Sequence, residues 1–204
     1  MKWYVGADTT LVVNGPDPIH DVDSIGTVAA ALTTHAAVEH ADPDWVVSAG
    51  TAGGFLERGG FIGQAVLARG PVIHHDRRIP LEGFDRYGRG EFPTADLHEL
   101  ADRLGFESGP VSTGDSLDAP EADLRSMSRH GTLAKDMEAA AVARVAALAG
   151  RPFTALKVIT DLVDTPEPTA EQFLANLATA SSTLADALPR LVAELHSYRR
   201  DRPS

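Results

Sequence analysis

The segment Lys135–Ala143 constrains the fold more than any other stretch, because it joins the end of a strand to an alanine-rich helix. Alanine and valine supply the helix propensity and the packing face of that helix. They do not account for Met137 between two acids, Asp136 and Glu138, in its first turn. One explanation is that the acids only complement the helix dipole. The other is that this junction carries a binding site.

Strand-like and helix-like segments alternate along the chain, which predicts an α/β layered sheet. The predicted strands cover residues 3–5, 10–14, 45–49, 64–68, 72–74, 110–112 and 153–160. The predicted helices cover residues 24–40, 97–104, 120–127, 137–149 and 169–198. Apolar positions of the first helix are Ile25, Val28, Ala29 and Leu32. The last helix starts with a capping-box pattern, Thr169 to Gln172, and Pro189 is expected to kink it.

Length and composition limit the classes of protein that are possible. With 204 residues, we predict one domain over residues 1–198 and a polar tail at residues 199–204. The formal net charge of −11 argues against nucleic-acid and anionic-membrane partners, which need a basic surface. The absence of cysteine excludes disulfides and cysteine metal sites. Because we see no signal-peptide pattern and no long apolar stretch, we expect a cytoplasmic protein.

Two further segments accompany Lys135–Ala143, namely Val47–Gly54 and Leu156–Asp164. In this order and spacing, the three resemble the nucleoside phosphorylase/nucleosidase superfamily, and especially the plant-type 5′-methylthioadenosine nucleosidases. Supporting segments are Ser24–Val28, His75–Pro80, Ser112–Asp118 and Pro168–Leu174. The resemblance runs from about Trp3 to Leu195. It implies a three-layer α/β/α fold around a twisted mixed central sheet.

The resemblance also implies an activity, the hydrolysis of 5′-methylthioadenosine to adenine and 5-methylthioribose in methionine salvage, without a cofactor. S-adenosylhomocysteine is a second candidate substrate, and a purine nucleoside phosphorylase is the alternative enzyme. Asp161 matches the family's catalytic acid, which protonates adenine N7. To do so near pH 7, its pKa must be raised by burial or by a neighbouring acid. From the residues alone, an Asp that caps a loop is the alternative.

Glu138 matches the family's ribose-binding glutamate, and its negative charge would favour a cationic ribosyl transition state. Met137 matches the residue under the ribose, although a methionine also fills a core well. By the same resemblance, the other substrate-binding residues are Thr51, Ala52, Gly53, Leu117, Asp118, Asp136, Lys157 and Thr160. Phosphorylases of the superfamily place an arginine where this chain has Ser48. Phosphate binds favourably to a guanidinium group. The absence of that arginine here therefore favours water as the nucleophile.

The run His74, His75 and Asp76 contains the residue types of a metal cluster. Adjacent residues on a strand point to opposite faces, so we expect no metal there. By resemblance, residues 75–88 form a loop at a homodimer interface, where they wall the pocket for the 5′-substituent. Phe84 and Tyr87 are its expected apolar contributors.

The resemblance breaks at the N-terminus. Relatives begin with an extra strand that carries a general-base glutamate, whereas the residues from Trp3 to Gly6 line up with their second strand. We therefore expect both the strand and its base to be missing, and a base typically contributes ~10²–10⁴-fold in rate. Three explanations stay open: a misassigned start or truncated chain, a weakened or non-catalytic nucleoside binder, or substitution by another acid such as Asp8 or Asp17.

Overall fold

The structure is a computed structural model that describes the backbone of residues 1–200 and the side chains of residues 1–197. Residues 201–204 of the predicted polar tail lie outside the described residues. The strands are β1 (Lys2–Val5), β2 (Thr10–Val13), β3 (Val46–Gly54), β4 (Ala65–Ala68), β5 (Ile73–His74), β6 (Glu107–Gly109), β7 (Val111–Thr113), β8 (Ala134–Asp136) and β9 (Phe153–Leu162). The α-helices are α1 (Gly26–Ala41), α2 (Phe84–Arg89), α3 (His98–Leu104), α4 (Glu121–His130), α5 (Ala139–Leu148) and α6 (Thr169–Arg200), and a 3-10 turn covers Leu56–Arg58.

Seven strands form one mixed sheet in the order β5-β7-β8-β3-β9-β4-β6, and β1 pairs with β2 as a separate antiparallel hairpin. β5, β7 and β8 are parallel to one another. The long strands β3 and β9 form the parallel centre of the sheet, and β4 is antiparallel to β9. The predicted mixed sheet is therefore confirmed.

Strand β4 shows why the fold has three layers. Val66 and Ala68 belong to the core that contains α1 and α5, whereas Ala65 and Leu67 pack with the core that contains α3 and α6. Successive strand residues point to opposite faces, so helices cover both sides of the sheet. The predicted three-layer α/β/α architecture is confirmed.

One edge of β3 has almost no strand partner. β9 pairs with β3 from Val46 to Gly54, but on the other edge the described residues supply only one antiparallel pair, Gly53 with Lys135 of β8. The extra first strand that the resemblance attributes to the relatives has no counterpart within the described residues 1–200, where β1 pairs with β2.

The predicted elements agree with the structure to within three residues, except at the glycine-rich segment. The sequence predicts a strand that ends at residue 49 and continues as a loop, but β3 continues to Gly54. Pairing with β9 explains the difference, because it gives the glycine-rich backbone hydrogen-bond partners. The short elements α2 and β6 were not predicted, since periodicity carries little information over so few residues.

Helix α1 is confirmed, but its largest apolar residues face outward. Ile25, Val28 and Leu32 are 66%, 73% and 65% exposed. The buried positions of the helix are instead Gly26, Thr27, Ala30, Thr34 and Val38. The small buried residues let α1 approach α5 closely, and they leave an apolar stripe uncovered.

Helix α6 begins at Thr169 as predicted, but the predicted capping box is wrong. The amide of Gln172 donates to the carbonyl oxygen of Pro168 at 3.2 Å. The Gln172 side chain turns to the preceding loop, where it accepts from the amide of Leu162 at 3.0 Å and donates to the carbonyl oxygen of Glu167 at 2.9 Å. Among the described residues, no helix combines the length and apolar character needed to cross a bilayer.

Candidate active site

The site lies where β3 and β9 end side by side. The two strands keep a parallel register until Ala52 pairs with Ile159, and the next pair is Gly53 with Asp161. β9 therefore has one extra residue, Thr160, at this point. A β-bulge bends the strand locally and re-aims its side chains. Here it lies directly beside the predicted acid.

The side chain of Asp161 is enclosed by the protein, and only 3% of the residue is exposed. Its Oδ1 accepts a hydrogen bond from the hydroxyl group of Thr160 at 2.8 Å. Burial raises the pKa of Asp161, and this outweighs the Thr160 hydrogen bond and the positive charge of Lys135, which lower it. The carboxyl group therefore keeps its proton to higher pH than an exposed aspartate, as an acid catalyst requires.

Gly53 makes room for this carboxyl group. A Cβ atom at position 53 would lie 2.7 Å from Oδ2 of Asp161 and 2.7 Å from Cγ1 of Val163. Nonbonded atoms do not approach so closely, so a larger residue would displace the acid. The Asp161 side chain thus lies over the backbone of Gly53.

A buried ion pair joins the β8 and β9 motifs. Nζ of Lys157 lies 2.7 Å from Oδ2 of Asp136, and the two side chains are 2% and 0% exposed. Asp136 also accepts from the amide of Ala139 at 2.8 Å and from the hydroxyl group of Thr113 at 2.5 Å. Lys157 donates to Oγ of Ser48 at 3.1 Å. Protein groups thus engage both oxygens of Asp136, and the ion pair stabilises the two strands, β8 and β9, that carry the site.

Glu138 is the N-cap residue of α5, and its side chain reaches the start of α1. Its Oε1 accepts a hydrogen bond from the amide of Gly26 at 2.9 Å. Burial raises the pKa of Glu138, the positive charge of Lys157 opposes this rise, and the negative charge of Asp136 adds to it. Met137 and Glu138 are both half-buried.

Asp115 belongs to the site, although the sequence analysis does not single it out. Its Oδ1 accepts from the amide of Thr27 at 2.6 Å, and its Oδ2 accepts from the Thr27 hydroxyl group at 2.5 Å. Together with Glu138 on Gly26, it places two carboxylates at the start of α1, where the helix dipole favours negative charge. Asp115 and Thr27 are 88 residues apart, so no local pattern predicts their contact.

Lys135 is a second site residue that the sequence analysis missed. It lies in β8 and is 4% exposed. Its Nζ donates to the carbonyl oxygens of Ser116 at 2.7 Å and Leu117 at 2.9 Å. Burial lowers the pKa of Lys135, and the surrounding carboxylates, above all Asp161, act against this. This ammonium group fastens the loop that follows β7 to the sheet.

The remaining predicted binding residues form two groups. Thr51 and Ala52 belong to β3, and the carbonyl oxygen of Ala52 lies 3.2 Å from the hydroxyl group of Thr160. Leu117 and Asp118 lie on the loop between β7 and α4, with exposed side chains. The strand residues thus lie close to Asp161. The loop is connected to the sheet by the hydrogen bond from Lys135 to the carbonyl oxygen of Leu117.

His74 and His75 contact different neighbours, as expected for adjacent strand residues. The ring of His74 stands edge-on to Phe92, with centroids 6.1 Å apart. Nδ1 of His75 lies 3.1 Å from Oγ of Ser112, and its ring lies against Gly114. Burial lowers the pKa of both histidines to about 4, so both are neutral at pH 7. Among the described residues, no three histidine or acidic side chains are grouped to hold a metal ion.

The two acids considered as substitute bases lie in turns. Asp8 is in the turn between β1 and β2, and Asp17 accepts from the amide of His20 at 2.8 Å. In the described part of the chain, neither has a hydrogen bond to Asp161 or Glu138. Their substitution for the base stays a prediction.

Comparisons with known proteins agree with this geometry. The sequence profile of the phosphorylase superfamily matches residues 2–193. A 5′-methylthioadenosine nucleosidase of Arabidopsis thaliana is 40% identical over 198 residues, which cover 94% of this chain and 74% of the relative. The apo structure of an Arabidopsis thaliana 5′-methylthioadenosine nucleosidase superposes with a TM-score of 0.84 at 40% identity, covering 93% of this chain and 75% of that one.

A 5′-methylthioadenosine/S-adenosylhomocysteine nucleosidase from Neisseria meningitidis, in complex with methylthio-immucillin-A, superposes with a TM-score of 0.73 at 26% identity. The alignment covers 84% of this chain and 78% of that one.

The buried histidines predict how stability depends on pH. Nδ1 of His74 has no hydrogen-bond partner among the described residues. An unfolded histidine takes up a proton below about pH 6.5 but folded His74 only near pH 4, so the free energy of unfolding should fall between these values. His74→Leu should remove about 3 kcal/mol of this fall without loss of stability at pH 7. Urea unfolding at pH 7, 6, 5 and 4 measures the free energy of unfolding of the wild type and of His74→Leu. Parallel pH dependences of the two free energies would refute the lowered pKa of His74.

Proposed function

This chain belongs to the phosphorylase superfamily, and we propose that it hydrolyses 5′-methylthioadenosine to adenine and 5-methylthioribose. The observation that carries the proposal is the buried Asp161, whose pKa burial raises. The choice of substrate rests on two Arabidopsis thaliana relatives. One is a 5′-methylthioadenosine nucleosidase, and the other is a 5′-methylthioadenosine/S-adenosylhomocysteine nucleosidase. S-adenosylhomocysteine is accordingly the second candidate substrate.

The role proposed for Asp161 is to donate a proton to adenine N7. An adenine anion leaves poorly, so the base must be protonated as the glycosidic bond breaks. Because the pKa of Asp161 is raised, its protonated fraction near neutral pH exceeds that of an exposed aspartate. Activity should fall as pH rises through this pKa, since the acid then loses its proton.

Glu138 and Met137 are proposed to hold the ribose. The carboxylate of Glu138 can accept hydrogen bonds from two hydroxyl groups, and its charge favours the oxocarbenium-like transition state. Glu138 occupies the start of α5, two residues beyond the ion-paired Asp136, which fixes its position. Thr51–Gly53 would approach the ribose and the base, and Leu117 and Asp118 would lie on the loop beside them.

The charges around Ser48 support water rather than phosphate as the nucleophile. Ser48 contacts Lys157, whose positive charge is already paired with Asp136 at 2.7 Å. Phosphate binding would require a cation that can form charge-assisted hydrogen bonds to a dianion. The alternative reaction, phosphorolysis, therefore receives less support from this geometry.

Product analysis with and without inorganic phosphate tests the reaction. We expect adenine and free 5-methylthioribose at the same rate in both conditions. A sugar 1-phosphate, or a strict requirement for phosphate, would replace hydrolysis by phosphorolysis.

The competing proposal is a nucleoside-binding protein with weak or no activity. It predicts saturable binding of 5′-methylthioadenosine or adenine without release of adenine over a long incubation. Calorimetry and chromatography on one sample separate the two proposals. Turnover that Asp161→Asn abolishes would exclude the binder.

The roles proposed for the two acids differ in their kinetic signature. Asp161→Asn keeps size and polarity but cannot donate the proton, so it should lower kcat by roughly 10²–10⁴-fold with little effect on inhibitor binding. Glu138→Gln keeps a weaker acceptor but loses its charge, so it should impair both ribose binding and chemistry, and raise KM more than Asp161→Asn does. Steady-state kinetics of both variants measure this split. Wild-type kinetics in both would place the site elsewhere.

If the wild-type chain shows no turnover, the comparison moves to affinity. Glu138→Gln should then weaken nucleoside binding far more than adenine binding, because free adenine has no ribose to hold. Equal losses for both ligands would contradict the assignment of Glu138 to the ribose.

We further propose that the protein is a homodimer. The stripe on α1 formed by Ile25, Val28 and Leu32 is exposed. Phe84 and Tyr87, which lie in the short helix α2 and not in a continuous loop 75–88 as predicted, are 47% and 63% exposed. Groups of exposed apolar side chains such as the α1 stripe mark contact surfaces. The role in methionine salvage stays a prediction that rests on the resemblance, and the cytoplasmic location stays a prediction that rests on the sequence pattern.

The dimer proposal predicts that a charge on the α1 stripe dissociates the protein. Val28→Glu should give a monomer at micromolar concentration, because a carboxylate would be buried without a partner at the interface. Leu148→Glu is the matched control, since Leu148 is 72% and Val28 73% exposed. Light scattering measures the mass of each. A wild-type monomer at the same concentration would contradict the proposal.

A further inference from the structure

Three residues form a row across the end of the central sheet. Gly53 of β3 pairs with Lys135 of β8 on one side and with Asp161 of β9 on the other. Paired residues on neighbouring strands direct their side chains to the same face of a sheet. With strands about 4.8 Å apart, the backbones of Lys135 and Asp161 are roughly 10 Å apart, and only a glycine stands between them.

Lys135 and Asp161 lie on either side of Gly53. Oδ2 of Asp161 lies only 2.7 Å from the position that a Cβ of Gly53 would take, so the carboxyl group leans over β3. From the other side, the buried ammonium group of Lys135 donates to the carbonyl oxygens of Ser116 and Leu117. Lys135 thereby links the loop after β7 to the region of the sheet where the acid lies.

We propose that Lys135 is a positioning residue of the site, which holds the Ser116–Leu117 loop in place and sets the electrostatic environment of Asp161. This inference rests on the proposed function for its catalytic consequence. The ammonium group of Lys135 directs two of its three N–H donors to these carbonyl oxygens, and among the described residues it forms no ion pair with Asp161 like the 2.7 Å pair of Lys157 with Asp136. Lys135 therefore influences the acid without neutralising it.

The charged neighbours of both groups support this division of roles. Besides burial, the influences on Asp161 are the hydroxyl group of Thr160 and the charge of Lys135, and both favour the ionised carboxylate. The carboxylates that act on Lys135 are those of Asp161, Asp118, Asp136 and Asp123. Loss of the ammonium group should therefore raise the pKa of Asp161 further. In a hydrolase that uses Asp161 as the acid, the fall in activity at high pH should shift to higher pH.

Three substitutions separate the charge of Lys135 from its hydrogen bonds. Lys135→Arg keeps both, Lys135→Gln keeps a donor without the charge, and Lys135→Met keeps neither. We expect the alkaline limb of kcat/KM to move to higher pH in the Gln and Met variants. Only the Met variant should raise KM by roughly tenfold or more, since it alone leaves the two carbonyl oxygens of the loop without a donor from residue 135. The Arg variant should stay near the wild type in both measurements.

The carboxyl signal of Asp161, assigned with Asp161→Asn in ¹³C-aspartate-labelled protein, gives a readout that does not need turnover. Its titration should move to higher pH in Lys135→Gln. The matched control is Arg125→Gln, which removes one positive charge from the exposed surface of α4 and should leave the titration unchanged.

Thermal unfolding identifies any variant that does not fold, and Lys135→Gln then decides alone. Unshifted titrations and pH profiles in the Gln variant would overturn the proposal. Equal rises of KM in the Arg and Met variants without a shift would also overturn it, because they indicate a purely structural lysine. If the wild-type protein releases no adenine, the proposed function fails, but the titration of Asp161 still decides the role of Lys135.

Discussion

The ion pair between Lys157 and Asp136 holds the site together. Both side chains are almost completely buried, and the loss of either partner would leave a buried charge without compensation, at a cost of about 3–5 kcal/mol. The pair connects β8 to β9, and through the amide of Ala139 it also fixes the first turn of α5. Because Glu138 stands at that turn, its carboxylate reaches the start of α1 from a rigid support. The position of the proposed ribose-binding group therefore depends on this buried contact.

Around this pair, acids outnumber bases. The carboxyl groups of the site are those of Asp115, Asp136, Glu138 and Asp161, and its ammonium groups are those of Lys135 and Lys157. An excess of negative charge in a buried site stabilises a ribosyl cation and disfavours a phosphate dianion. Burial raises the pKa of Asp161, and for Glu138 the negative charge of Asp136 adds to the effect of burial. Hydrolysis with acid assistance from Asp161 fits both consequences.

Helices α1 and α5 pack in the same core cluster as residues of β3. The helix that carries the exposed stripe therefore lies on the same face of the sheet as this core. Small residues on the inner face of α1 bring Gly26 and Thr27 within reach of Glu138 and Asp115. Packing of α1 and geometry of the site are thus coupled.

Local sequence information was sufficient for most elements of the fold. Helix and strand periodicities and the alanine-rich run predicted the layered sheet, because these signals depend on neighbours within a few residues. The motifs around Gly53, Glu138 and Asp161 likewise indicated the family and the residue types of the site. These properties are carried by the order of residues along the chain.

Other properties were decided only by tertiary contacts. The continuation of β3 through glycines requires β9 as a partner, and the bulge at Thr160 appears only in the register of the two strands. The contacts of Asp115 and Lys135 are made with groups 88 and 19 residues away along the chain. Which face of α1 is exposed depends on which of its residues pack in the core shared with α5. The pKa of Asp161 is raised because the folded chain excludes water from it. Local order can place an acid at the end of a strand, but the burial that raises its pKa comes from residues that only folding brings together.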